Sequence, residues 1–169
     1  MQARSRQRDL FAVIAVTLVV VLAGTTLAQS STPTNIGTWK LNFAKSKALS
    51  PDNGPASVSS TITSEAAGVG VRCTVAVVSA MEGTLNHFEF SGKYDGKDNT
   101  IKGSTQYGDV VALTRVDANT TRYIYKKGGT VTVTQTHVVS SDGKTMTVTS
   151  AGTDAKGTPI NSVAVYDKQ

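Results

Sequence analysis

Two histidines, one cysteine and a small set of tyrosines and carboxamides are what this chain offers for chemistry. His87 and His137 lie far apart, and Cys73 is the single thiol. A metal site of ordinary type draws three or four ligands from His, Cys and carboxylates, so no metal is expected. Asp142-Gly143-Lys144-Thr145 ends like a phosphate-binding loop, but the first glycine of that motif would fall on Val138. The segment reads as a hairpin turn. No Gly-x-Ser-x-Gly elbow occurs, and no Ser, His and Asp arrangement stands out among the many hydroxyl residues. The expectation is therefore no catalytic residue, no cofactor and no enzyme. Cys73 falls in the alternating series Val69, Val71, Cys73, Val75, Val77. It reads as a small buried hydrophobe, since Arg72 is the one neighbour that would favour a thiolate.

Binding chemistry is better represented. In the run from Leu85 to Tyr94, Phe88, Phe90 and Tyr94 share one face, with Leu85, His87, Glu89 and Lys93 on the other. Tyr123 and Tyr125 share a face opposite Arg122, Ile124 and Lys126. Further on, Val131, Val133, Gln135 and His137 oppose Thr130, Thr132, Thr134 and Thr136. Aromatic rows of this kind suit a barrel core or the wall of a pocket. Gln135 and His137, at the end of an apolar row, suit either a pocket that orients one ligand group or an exposed strand end.

The elements that must position these residues are strands. Apolar spacing is two almost throughout, β-branched residues dominate, and helical spacing is absent. Strands are expected at Thr38 to Asn42, Ser57 to Ser64, Val69 to Ser79, Leu85 to Tyr94, Val110 to Val116, Thr121 to Lys127, Thr130 to Val139, Thr145 to Ala151 and Ser162 to Asp167, with a weaker one at Thr100 to Gly103. Glu82-Gly83, Asp95-Gly96-Lys97, Asp117-Ala118-Asn119, Gly128-Gly129, Asp142-Gly143-Lys144 and Asp154-Ala155-Lys156-Gly157 separate them. Asp-Gly and Gly-Gly supply the backbone angles of tight hairpins, so successive strands should pair antiparallel. A long hairpin meander exposes two edges unless it closes, which favours a barrel over a sandwich. The expected fold is all-β, an antiparallel up-and-down barrel of about 8 to 10 strands. Its one irregular connection, Phe43 to Pro55, carries two prolines near its end and admits no long helix.

The first residues read differently. Arg4, Arg6 and Arg8 precede an apolar run from Leu10 to Ala23, then Gly24 and the small-residue stretch ending at Ala28. That order predicts a secretory signal helix over residues 1–28, cleaved after Ala28, then a flexible segment 29–36 and one barrel domain over 37–169. Three arginines and one aspartate leave with the signal, which takes the net charge from +5 to +3. The remaining lysines are scattered among turns, with Lys126 and Lys127 the adjacent pair, so no nucleic-acid stripe is expected. No stable membrane anchor is expected after cleavage. The product should be a periplasmic or secreted monomer, with no internal disulfide to hold its core.

Gly37-Thr38-Trp39-Lys40-Leu41 resembles the opening strand of fatty-acid-binding proteins, and Asp142-Gly143-Lys144-Thr145-Met146-Thr147-Val148 with Val165-Tyr166-Asp167-Lys168 is similar to their last two strands. In the order GTWKLN, AKSK, YDGKD, DGKTMTVT, GTDAKG, VAVYDKQ the chain resembles small exported bacterial lipocalin-like proteins of the calycin superfamily. The resemblance implies that Trp39 packs at the closed end of the barrel. It also implies an interior site reached by Phe88, Phe90, Tyr94, Tyr123, Tyr125, Gln135, His137 and Tyr166. Fatty-acid-binding proteins hold a lipid carboxylate with an Arg two residues before the terminal-strand Tyr. Here that Tyr is Tyr166, but the Arg position is Ala164, and the family's other inward Arg falls near Gln135 or His137. The family's two-helix lid has no counterpart in the Pro-rich connection. Loss of the guanidinium removes the bidentate carboxylate clamp, so the implied ligand is a small, neutral, apolar molecule. Two other readings stand beside it: a module acting through its outer surface around a side-chain-filled barrel, and an enzyme on a lipocalin-like barrel.

Overall fold

The computed structural model describes residues 34–48, 57–79, 85–154 and 156–169. The expected signal over 1–28, most of the segment 29–36 and much of the connection ending at Pro55 lie outside them.

The described chain is a single antiparallel sheet rolled into a nearly closed barrel. Its elements are β1 (Gly37–Leu41), a 3-10 turn (Phe43–Lys45), β2 (Lys47–Ala48), β3 (Ser57–Ala67), β4 (Gly70–Ser79), β5 (Leu85–Lys93), β6 (Asp95–Thr100), β7 (Lys102–Gly103), β8 (Val110–Arg115), β9 (Thr120–Lys127), β10 (Thr130–Val139), β11 (Thr145–Thr153) and β12 (Pro159–Lys168). Eleven strands follow the order β6-β8-β9-β10-β11-β12-β1-β3-β4-β5-β7, and β2 adds a short pairing to β12.

The count exceeds the expected 8 to 10 because one segment is split. β6 and β7 flank Ile101; β6 pairs with β8, whereas β7 pairs with β5 through Phe88↔Gly103 and Glu89↔Lys102. This segment therefore carries the sheet from one end of its order to the other. Between Phe90 and Gly92 the strands β5 and β6 run side by side without a ladder, which leaves a seam and an open surface cleft of about 390 Å³. Asn99 packs against Gly92 of β5, where an added Cβ would lie 2.5 Å from its side chain, while its Nδ2 donates to the carbonyls of Lys97 and of Val111 on β8. Asp95-Gly96-Lys97, expected to be a turn, begins β6 as a bulge, with the register shifting between Asp95 and Asp98.

Alternation does the rest. On β9 Thr121, Tyr123 and Tyr125 are buried, on β10 Val133, Gln135, His137 and Val139, and on β11 Met146, Val148 and Ser150. These rows meet Val71, Cys73, Val75, Phe88 and Phe90 from the opposite wall to form one core. The pairing registers gather the turns after β3, β5, β8 and β10 with the start of β1 and the end of β12 at one end of the barrel. That end is closed by Trp39, fully buried, whose Nε1 donates to the Asn35 carbonyl at 2.9 Å while Lys168 Nζ lies 5.2 Å from the ring centroid. In the described part of the segment expected to be flexible, residues 34–36, Thr34 Oγ1 donates to the Ala118 carbonyl, Asn35 Nδ2 donates to Tyr123 Oη, and Ile36 packs against the core.

Candidate functional site

The inward rows enclose a cavity of about 50 Å³. Of the residues expected to form an interior site, Phe88, Phe90, Tyr123, Tyr125, Gln135, His137 and Tyr166 all line it. Tyr94 does not. It follows the last residue of β5, where the chain bends, and its hydroxyl donates to Asn35 Oδ1 at 3.3 Å in the closed end. Gln135 and His137 are 7% and 5% exposed, so they point into the barrel rather than off a strand end.

The polar groups form a connected column. Gln135 Nε2 donates to Ser150 Oγ at 3.2 Å, and Gln135 Oε1 faces His137 Nε2 at 3.3 Å. A carbonyl oxygen accepts only, so His137 carries its proton on Nε2. The imidazole stacks on Tyr123, centroids 4.1 Å apart and planes 20° apart. Burial drives the His137 pKa down to about 3, so the ring is neutral at physiological pH. On the facing wall Tyr166 Oη donates to Ser60 Oγ at 3.2 Å. Burial raises Tyr166 to about 12 and holds Tyr123 and Tyr125 well above the ordinary phenol value. Cys73, also in the wall, is pushed up to about 12 by the same cause and is a poor nucleophile. Ala164, beside Tyr166 on β12, packs half-buried against the core. No charged side chain lines the cavity among the described residues. Its chemistry is that of aromatic faces, hydroxyls, a neutral imidazole and the carboxamides of Gln106 and Gln135, which can orient an uncharged molecule by hydrogen bonds.

Sequence reasoning missed the residue at the mouth. The segment between β7 and β8, Ser104-Thr105-Gln106-Tyr107-Gly108-Asp109, folds across the open end, and Gln106 and Tyr107 complete the cavity wall. The Tyr107 ring stands edge-on to Phe88 at 6.4 Å and tilted against Tyr125 at 5.0 Å. A loop has no alternating period to betray an inward side chain; the signal was an aromatic residue set in an otherwise polar loop. Two features of the neighbouring strands hold it there. β10 bulges between Val131 and Val133, and Thr132, freed from the ladder, donates its hydroxyl to the Tyr107 carbonyl or to that of Tyr125 at 3.1 Å. Gly108 packs so tightly on β9 that a Cβ there would lie 2.1 Å from the Lys126 carbonyl oxygen.

No family model, curated protein or solved structure matches this chain. The nearly closed antiparallel barrel is compatible with a calycin-like fold.

Proposed function

We propose that the protein is an exported, non-enzymatic member of the calycin superfamily whose barrel binds a small, neutral, hydrophobic ligand in its interior. The observation that carries this reading is the interior cavity, bounded by aromatic and aliphatic walls, with a hydrogen-bonding column on one side and no charged lining residue among those described. An anion would lose its hydration there and gain no cationic partner, a cost of several kcal/mol. Support for a binding rather than a catalytic role comes from His137, which faces a carboxamide instead of a carboxylate and whose depressed basicity suits a hydrogen-bond donor better than a general base. Export is proposed from Arg4, Arg6, Arg8 and the apolar run that follows.

A second reading is favoured by the size of the cavity. A volume of about 50 Å³ holds a few waters rather than a lipid, as expected of a side-chain-filled barrel acting through its outer surface. The test is native mass spectrometry of protein isolated from its own source, with uptake of the neutral dye Nile red by the purified chain. A co-purifying neutral molecule or saturable dye binding supports the interior site. Absence of both would leave the surface-acting module.

A further inference from the structure

We propose that the interior site accepts a phenol-like molecule, a neutral aromatic ring carrying one hydroxyl, in the place that the Tyr107 side chain occupies in this structure. The inference rests on the reading of the barrel interior as a ligand site and names the ligand class of that site.

Tyr107 is the one cavity-lining aromatic residue that no strand of the barrel supplies. It is delivered from the loop at the mouth, and it meets the interior as a ligand would. Phe88 and Tyr125 contact its ring edge-on and tilted, the geometries in which aromatic pairs attract. Its hydroxyl is enclosed, with the Gln106 and Gln135 side chains beside it.

Gln135 is prepared for such a group. One hydrogen of its Nε2 is committed to Ser150 Oγ, and one lone pair of its Oε1 to His137 Nε2. One amide hydrogen and one carbonyl lone pair remain, so the same side chain can donate to a phenol oxygen and accept a phenol proton. His137 and Ser150 fix the amide in that orientation, and Tyr123 fixes His137 by stacking. An aliphatic hydrocarbon would leave both amide positions unpaired in a buried site, which is unfavourable.

The plug is lightly attached where it matters. The ends of the loop are anchored to strands, by Ser104 N–H donating to the His87 carbonyl and Asp109 N–H donating to the Lys126 carbonyl, each at 2.9 Å. Between those anchors Thr132 ties the Tyr107 carbonyl to β10, and the Tyr107 N–H stays within the loop, donating to Thr105 Oγ1 at 3.1 Å. A hydroxyl has one proton, and Thr132 can pass it from the Tyr107 carbonyl to that of Tyr125 without leaving its place. The plug can thus release without disturbing the barrel wall. Vacating the Tyr107 position enlarges the small cavity by one phenol ring, which sets the size of the incoming molecule.

The experiment is calorimetric titration of p-cresol, the tyrosine side chain as a free molecule, into the purified protein and its Tyr107→Ala variant, with toluene as the ligand lacking a hydroxyl. Removing the plug should tighten p-cresol binding at least about tenfold over wild type, as a cavity of matching shape takes up its missing part. Toluene should bind the variant about tenfold or more weakly than p-cresol, because it cannot pair with Gln135. A folded Tyr107→Ala protein that binds p-cresol no better than wild type overturns the proposal, and so does equal affinity for toluene. Should Tyr107→Ala lack a cooperative melt, Thr132→Val takes its place: it removes the latch and keeps the ring, and an absent gain in p-cresol affinity overturns the proposal equally. The two readings fail separately. Nile red uptake by wild type with no p-cresol gain in the variants sinks the phenol inference alone. A p-cresol gain with no neutral ligand ever taken up by wild type sinks the hydrophobic-ligand function and leaves the recognition chemistry standing.

Discussion

Acid should weaken this barrel through His137, and the size of the effect follows from its burial. The unfolded chain carries an ordinary histidine of pKa about 6.5, whereas the folded ring titrates at about 3. The unfolded state therefore binds the proton first, and the stability contributed by a neutral His137 is complete above pH 6.5 and is lost as pH falls toward 3. Each pH unit inside that window is worth about 1.4 kcal/mol, so moving from pH 7.5 to pH 4.5 should cost roughly 3 kcal/mol. With a urea slope of about 2 kcal/mol per molar, the unfolding midpoint should fall by roughly 1.5 M. Other groups titrate in acid as well. Asp142, Asp117 and Asp167 sit below the ordinary carboxylate value, held there chiefly by the Ser140 hydroxyl, the Asn119 N–H and the Asn42 side chain respectively. Their contribution is also lost as pH falls, but from about pH 4 downward. The measurement is therefore a difference between proteins: urea unfolding of wild type and His137→Phe at both pH values. Phe keeps a ring against Tyr123 and removes the titration. Wild type should lose about 3 kcal/mol more than the variant across that interval. An equal loss in both proteins would mean that His137 is solvated and that the column through Gln135 is wrongly drawn.

Alkali should act through the phenols and the thiol. All five tyrosines lie above their ordinary value and Cys73 is raised to about 12, in each case chiefly by burial. Folded values above the unfolded ones mean that stability is intact below pH 9 and is lost between pH 9 and 12, so phenolate absorbance should rise together with loss of structure; a phenolate signal saturating before unfolding would contradict the buried assignment. Trp39→Ala should cost roughly 3 to 5 kcal/mol, since the side chain is fully buried and its Nε1 holds the Asn35 carbonyl; an unchanged thermal melt would move Trp39 to the surface. Gly152→Ala should cost about 2 kcal/mol or more by denaturant titration, because φ is +138° and the added Cβ would lie 2.0 Å from the Thr132 carbonyl oxygen; a neutral result would mean that the β10 bulge yields easily.

What could be read from the sequence was whatever burial writes into a strand. β9, β10 and β11 alternate because one face of each meets the core, and their inward rows of Tyr, Gln, His and Val follow from period two alone. β6 reads from sequence as a turn followed by a weak strand because Asp95-Gly96-Lys97-Asp98-Asn99-Thr100 has no apolar alternation. Its side chains are almost all exposed, and its place in the sheet rests on backbone pairing with β8. The same cause shortened the expected last strand, since Pro159 to Asn161 pair with β11 at the exposed end of β12. Alternation carries the face of Phe88 and Phe90 on to Tyr94, but the chain bends there and the Tyr94 hydroxyl meets Asn35. Ser60 and Ser150 were invisible for another reason: a small hydroxyl carries no hydrophobic signal, and its burial becomes apparent only beside Tyr166 and Gln135.

The barrel interior is more polar than a filled core requires, and that is the strongest internal argument that it serves a ligand. Hydrophobic packing alone would favour Leu or Val at positions 135 and 137, where a buried carboxamide and imidazole must each find partners. They find them in Ser150, in each other and in the Tyr123 ring, and this holds the remaining valences of Gln135 toward the cavity. The site stays uncharged: the imidazole is neutral and the phenols keep their protons. An arginine introduced at 164, which packs half-buried against the core, would be partly desolvated. Its desolvation would be offset only if an anionic ligand entered beside it. On the proposed reading, an interior lined this way disfavours acids, and the Tyr107 loop sets the size of the neutral molecule that enters.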